Sequence, residues 1–122
     1  MPRWLLLVLL ALTGGCENRV HATQQCLGWG SVTETYRNDT FEVGSGPALD
    51  VAGNCHVILE GSTVRAPEGF RVREHGTVEM RGGSLTTQHW AVDAAGDARV
   101  VLDGVRVSGE VRRAERAVVQ AP

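Results

Sequence analysis

Beyond residue 45 the apolar positions fall two apart in short bursts, and the bursts recur along the chain. Leu49, Val51, Val57, Leu59, Ser62 and Val64 reappear 21 residues on as Phe70, Val72, Val78, Met80, Gly83 and Leu85. A further displacement of 22 gives Val92, Ala94, Val100, Leu102, Val105 and Val107, so that 16 of these 18 positions are apolar. A spacing of two is the strand period, whereas a helical repeat needs spacings of three and four. Valine dominates the bursts, as a pleated and half-buried surface favours. Gly61, Gly82 and Gly104 form a matching column between them, where the backbone must turn tightly. The pattern predicts an all-β domain with several short strands per repeat and three repeats over residues 46–109.

A repeat of 21 or 22 residues built from strands resembles one coil of a parallel β-helix, in which like positions stack about 4.8 Å apart. The resemblance implies a solenoid of about three coils, and the coil length implies the right-handed form. Outward positions agree with this stacking. Glu60, Arg81 and Asp103 fall in one column, Asp50, Arg71 and Asp93 in another, and both alternate in sign. The competing architecture is a small antiparallel β-sandwich, which also has frequent glycine-rich turns but requires no column identity. An open coil end exposes strand edges, so both ends need covers. Phe41 and Val43 lie 21 before Ser62 and Val64, which places a partial coil ahead of the first. Residues 16–45, with Trp29, Val32 and Tyr36, read as linker, further strand and N-terminal cap. Residues 110–122 read as a C-terminal cap or tail, either an irregular strand or a short helix over 111–119, because the positions 22 beyond Val92 and Ala94 are Ala114 and Arg116.

The N-terminus has a different character. Arg3 precedes a nine-residue apolar run, Trp4 to Leu12, followed by Thr13, Gly14 and Gly15. As a helix this run reaches only about 14 Å, under half of a roughly 30 Å hydrocarbon core. It therefore reads as the core of a signal peptide, residues 1–15, and not as a membrane span. Leu12-Thr13-Gly14-Gly15-Cys16 resembles the lipobox of bacterial lipoproteins. That resemblance implies that Cys16 is acylated and becomes the mature N-terminus, with Thr13 standing where the family usually has leucine. It also implies a lipid tether to the membrane, and Glu17 in place of an aspartate points to the outer membrane. The rival reading is plain secretion, cut before Cys16 or after Val20-His21-Ala22.

With Cys16 assigned to lipid, Cys26 and Cys55 remain as an even pair outside the cytosol, where a disulfide is the natural outcome. The alternative is two unconnected buried thiols. His21, His56, His75 and His89 fall in no metal-ligand spacing, so neither a metal nor a cofactor is expected. Asn38-Asp39-Thr40 matches a glycosylation acceptor by rule, which a bacterial-type signal leaves without meaning.

Charge excludes one class of partner. The 122 residues carry 12 basic side chains, all arginine, against 14 acidic ones, interspersed along the chain. A formal net charge of −2 gives no reason to expect nucleic acid. No nucleophile elbow, phosphate loop or metalloprotease motif occurs. Asp50 and Asp93 share a column two coils apart, about 10 Å, which is within the range used by glycosidases. Arg71 between them favours a static charge ladder over acid catalysis. A carbohydrate-active enzyme is thus the alternative, and a structural or binding role comes first, with a glycan or an envelope protein as partner. The candidate binding surface is His89 and Trp90 with Arg71 and Arg73 one coil below. Trp90 has two readings, as a ring that stacks on a sugar or as a corner of the core. Ile58 and Val101 point outward with Glu79 between them, giving a second, partly apolar face.

Overall fold

The computed structural model describes residues 19–28 and 30–121. The signal segment 1–15, Cys16 and Trp29 lie outside the described residues. Thirteen strands and no helix occur among the described residues, and every strand pairing is parallel. Parallel pairing throughout excludes the antiparallel sandwich and makes the chain a β-solenoid.

Five coils follow in order. The first holds β1 (Val20–His21), β2 (Gln24–Cys26) and β3 (Val32–Arg37). The second holds β4 (Thr40–Glu42), β5 (Pro47–Val51) and β6 (Cys55–Glu60). The third holds β7 (Thr63–Ala66), β8 (Glu68–Val72) and β9 (Thr77–Arg81). In the fourth, β10 (Ser84–Ala94) spans two arms as one strand before β11 (Arg99–Asp103). The fifth is β12 (Arg106–Arg113) and β13 (Val118–Gln120). One sheet gathers β1, β4, β7, β10, β8, β5 and β2, with β12 added on β10; the other runs β13-β11-β9-β6-β3.

The columns read from the sequence are the observed registers. Val57, Val78 and Val100 are direct neighbours, as are Leu59, Met80 and Leu102, and Leu49, Phe70 and Val92. All nine are at most 2% exposed and line the interior. Cys26 and Cys55 are bonded, tying β2 of the first coil to β6 of the second.

The solenoid extends past the three coils expected, because spacing changes at both ends. Val20 faces Thr40 at a displacement of 20, Gln24 faces Leu49 at 25, and Val32 faces Cys55 at 23. At the other end, Ser84 faces Arg106 at 22, yet Val92 faces Val111 at only 19. Two register shifts between Thr86 and Val92 absorb the missing three residues. The described parts of 16–45 and 110–122 are therefore themselves coils, and the short helix considered for 111–119 is replaced by strand.

The turn that leaves β3, β6, β9 and β11 explains the glycine column. Gly61, Gly82 and Gly104 have φ of +61°, +68° and +64°. Asn38 takes the same place in the first coil at +55°, and asparagine is among the few side chains that tolerate the left-handed region. Its N–H bonds the Glu60 carbonyl just as those of Gly61 and Gly82 bond Arg81 and Asp103.

Candidate functional site

The solenoid offers its chemistry on its outer faces, and a concavity lies at the bend between the two arms of the larger sheet. Pro67 makes that bend. It has no N–H to donate and separates β7 from β8. Its carbonyl accepts the N–H groups of both Gln88 (3.2 Å) and His89 (3.0 Å) from the coil above. Thr87, turned inward, donates its hydroxyl to the Ser108 carbonyl at 2.7 Å. The groove so formed holds about 630 Å³ and is open to solvent; Glu42, Arg65, Pro67, Thr86 and Gln88 are among its walls. Glu42 and Arg65 are in register on neighbouring coils, with Arg65 Nη1 3.7 Å from Glu42 Oε1. This exposed pair supplies one anionic and one cationic group, while Thr86 and Gln88 supply uncharged donors and acceptors. Such a lining can hydrogen-bond an extended polar ligand. Among the described residues the groove has no aromatic ring in its walls.

The four residues singled out from sequence do not converge on this groove. His89 is exposed on its upper lip, next to Pro67. Trp90 is 4% exposed, which leaves no ring face for stacking on a ligand. It does not belong to the contiguous apolar cluster inside the solenoid. The reason is local: the register shifts that flank it turn the backbone, so that Ala91, Val92 and Ala94 face inward. Arg71 lies opposite Asp93, four residues along from His89, and Arg73 is exposed at the turn that follows β8.

Register also places the acids. Asp50, Arg71 and Asp93 are consecutive neighbours, with Arg112 above them, and Glu60, Arg81 and Asp103 are likewise aligned. Within these two triads no ion pair closes the ladder, and Glu60 pairs instead with Arg37 of the coil before it, at 3.9 Å. Among the described residues Arg71 makes no ion pair within 4.0 Å, and its Nε is buried without a hydrogen-bond partner. Arg81 instead turns to Glu79 of its own strand at 3.7 Å. On the face that carries Ile58 and Val101, His56 Nε2 lies 3.5 Å from Glu79 Oε1.

A polar cluster lies in the first coil, and the sequence reading missed it. Inward positions of the first coil carry His21, Gln24, Glu34 and Tyr36, in register with Phe41, Leu49, Val57 and Leu59 of the second. His21 Nε2 is 2.8 Å from Oδ2 of Asp39, which is itself 7% exposed, and the Arg19 N–H donates to Oδ1 at 3.1 Å. The His21 ring packs against Tyr36 and Phe41 at centroid distances of 5.1 and 4.9 Å. Tyr36 donates its hydroxyl to Glu34 Oε2 at 2.9 Å. Burial, and next the hydrogen bond to the Glu34 carboxylate, push the phenol pKa up to about 12. The sequence signal was the period itself, 20 residues between His21 and Phe41, obscured by the longer displacements that follow it.

Among the described residues no group of three or more histidine, cysteine, aspartate or glutamate side chains could hold a metal ion, and no helix is long and apolar enough to cross a membrane. Comparison with protein-family models, with curated proteins and with solved structures found no match.

Proposed function

We propose that the protein is an exported envelope lipoprotein, tethered by acylated Cys16, whose solenoid is a non-enzymatic binding scaffold. The observation that carries the choice of cleavage site is the β1 strand, and the lipobox-like residues before Cys16 carry the acylation. A signal cut after Ala22 would remove Val20 and His21, and with them the partner of the buried Asp39 carboxylate. Cleavage before Cys16 retains the whole first coil and leaves only Glu17 and Asn18 between the lipid-bearing residue and Arg19. The Cys26–Cys55 bond supports an oxidising compartment. Two or more acyl chains, at about 0.8 kcal/mol per buried methylene, would hold such a domain stably at a bilayer.

The binding reading rests on the groove at Glu42, Arg65, Thr86 and Gln88, whose polar walls suit an extended glycan strand or a polar segment of an envelope protein. A carbohydrate-active enzyme is the weaker reading, since Asp50 and Asp93 lie on an outer face with Arg71 between them and do not line the groove. A coil of 21 to 22 residues supports a right-handed solenoid.

The test is the intact mass of the protein purified from membranes. The expected result is a chain starting at Cys16 with added acyl mass. An unacylated chain, or one starting at Thr23, overturns the anchor and moves the search to secreted partners.

A further inference from the structure

From the second coil to the fifth, β4, β7, the first arm of β10 and the start of β12 stack in register. Phe41, Val64 and Leu85 are fully buried on the inside, so the residues on either side of them point outward and form two columns. One column runs Thr40, Thr63, Ser84 and Arg106, and the other runs Glu42, Arg65, Thr86 and Ser108. Five of these eight positions carry hydroxyls, and none of the five hydroxyls is hydrogen-bonded within the described chain. Two concavities meet on this face and share Thr86. One is the groove of about 630 Å³ beside Pro67, and the other, of about 320 Å³, is walled by Ser84, Thr86, Arg106, Val107 and Ser108. Together they make a trough across the third, fourth and fifth coils.

We infer that this trough holds an extended anionic glycan lying along the solenoid axis, with Arg65 and Arg106 taking its singly charged oxyanions, carboxylate or phosphodiester. The inference rests on the reading of this face as a binding surface and names its ligand. An extended peptide is held chiefly through a free strand edge. The strands that floor the trough offer none, because β7 lies between β4 and β10, and the first arm of β10 lies between β7 and β12. A sugar chain needs hydroxyl partners instead, and each unpaired serine or threonine hydroxyl both donates and accepts. Neutral sugars are held largely through aromatic faces, and the walls contain no aromatic ring among the described residues. Charge supplies the hold in their place. Arg65 and Arg106 against Glu42 leave the trough one positive charge in excess. Arg106 makes no ion pair within 4.0 Å among the described residues, and Arg65 makes only the exposed one with Glu42 at 3.7 Å. An exposed pair of that kind is weak, so both guanidinium forks are open to an oxyanion. Register sets their spacing: two coils and two strand positions separate them, about 12 Å between Cα atoms. A chain that places one oxyanion on Arg65 therefore crosses Ser84 and Thr86 before the next reaches Arg106, which calls for charge on spaced sugars and not on each one.

Fluorescence anisotropy of labelled oligosaccharides, titrated with the mature protein in a nonionic detergent, tests this. The probes are an oligouronate, a phosphodiester-linked glycan oligomer and a neutral oligomer of the same length. At least one anionic probe should bind about ten-fold more tightly than the neutral one, and added salt should weaken it. Whichever anionic probe binds more tightly identifies the oxyanion. Arg106→Gln should weaken that binding about five-fold, and Arg65→Gln with Arg106→Gln about 25-fold, because the two sites are separate. Arg99→Gln removes the same charge from an exposed arginine without an ion pair on the other sheet, and should change nothing. Equal binding of neutral and anionic probes overturns the inference and leaves a glycan-binding face, whereas binding of no probe overturns both. An Arg106→Gln variant that binds the anionic probes as well as the native protein also overturns it. So does an equal loss from Arg99→Gln, which would make the attraction one of overall charge.

Discussion

Tyr36 is the single tyrosine of the chain and therefore its own spectroscopic probe. Its phenol is half-buried among His21, Phe41 and Glu34, and holds its proton to a pKa of about 12, against 10.0 for the free side chain. An unfolded chain gives up that proton from pH 10 upward while the folded one keeps it until about 12, so stability is full below pH 10 and falls across that window. Absorbance of tyrosinate should accordingly rise with a midpoint near 12 in the folded protein, and Tyr36→Phe should flatten the pH dependence of stability between 10 and 12. A midpoint at the free value would mean that the polar cluster is open to water. The residue scale is also where the sequence was least legible. Tyr36 and Glu34 alternate like any exposed strand pair, and nothing local marks them as inward. Trp90 fared similarly: parity groups it with Val92, yet its burial arises outside the main apolar cluster, through register shifts that no spacing rule reveals.

At the scale of the element, each of the three middle coils repeats two left-handed turns, and these decide which substitutions the fold accepts. Gly53, Glu74, Gly96 and Glu115 occupy one turn in successive coils with φ of +66°, +59°, +70° and +60°. The backbone ladder is the same at each: His75, Asp97 and Arg116 donate to Gly53, Glu74 and Gly96. Glycine takes this conformation without a side-chain clash, whereas glutamate pays about 1–2 kcal/mol for it. Glu74→Gly should therefore stabilise the protein by about 1 kcal/mol in denaturant unfolding, less the greater freedom glycine gives the unfolded chain. Gly53→Ala should destabilise it by more, since the added methyl would meet the Gly28 carbonyl oxygen. Equal effects of the two would show that this turn relaxes freely. The glycine column at 61, 82 and 104 was legible because three identical residues recur; the column at 53, 74, 96 and 115 was not, because two of its four members are glutamate. The same holds for coil boundaries. Coils two to four keep a displacement of 21 or 22 and announce themselves, while the terminal coils change it by several residues and read as caps.

Over the whole molecule, a solenoid is close to one-dimensional: each coil is held only by its neighbours, so unfolding starts at whichever end is weaker. The Cys26–Cys55 bond staples the first coil to the second across a sequence separation of 29. By chain entropy alone a loop of that length contributes about 3.5 kcal/mol. The fifth coil has no such staple. Hydrogen exchange should therefore be asymmetric. In the oxidised protein the amides of β12 and β13 should exchange first. Reduction should then expose β1, β2 and β3 to early exchange and lower the unfolding free energy by about 3 kcal/mol, while β9 and β11 stay protected to the global limit. Uniform loss of protection on reduction would mean that the five coils unfold as one cooperative unit, with the disulfide acting on the whole stack.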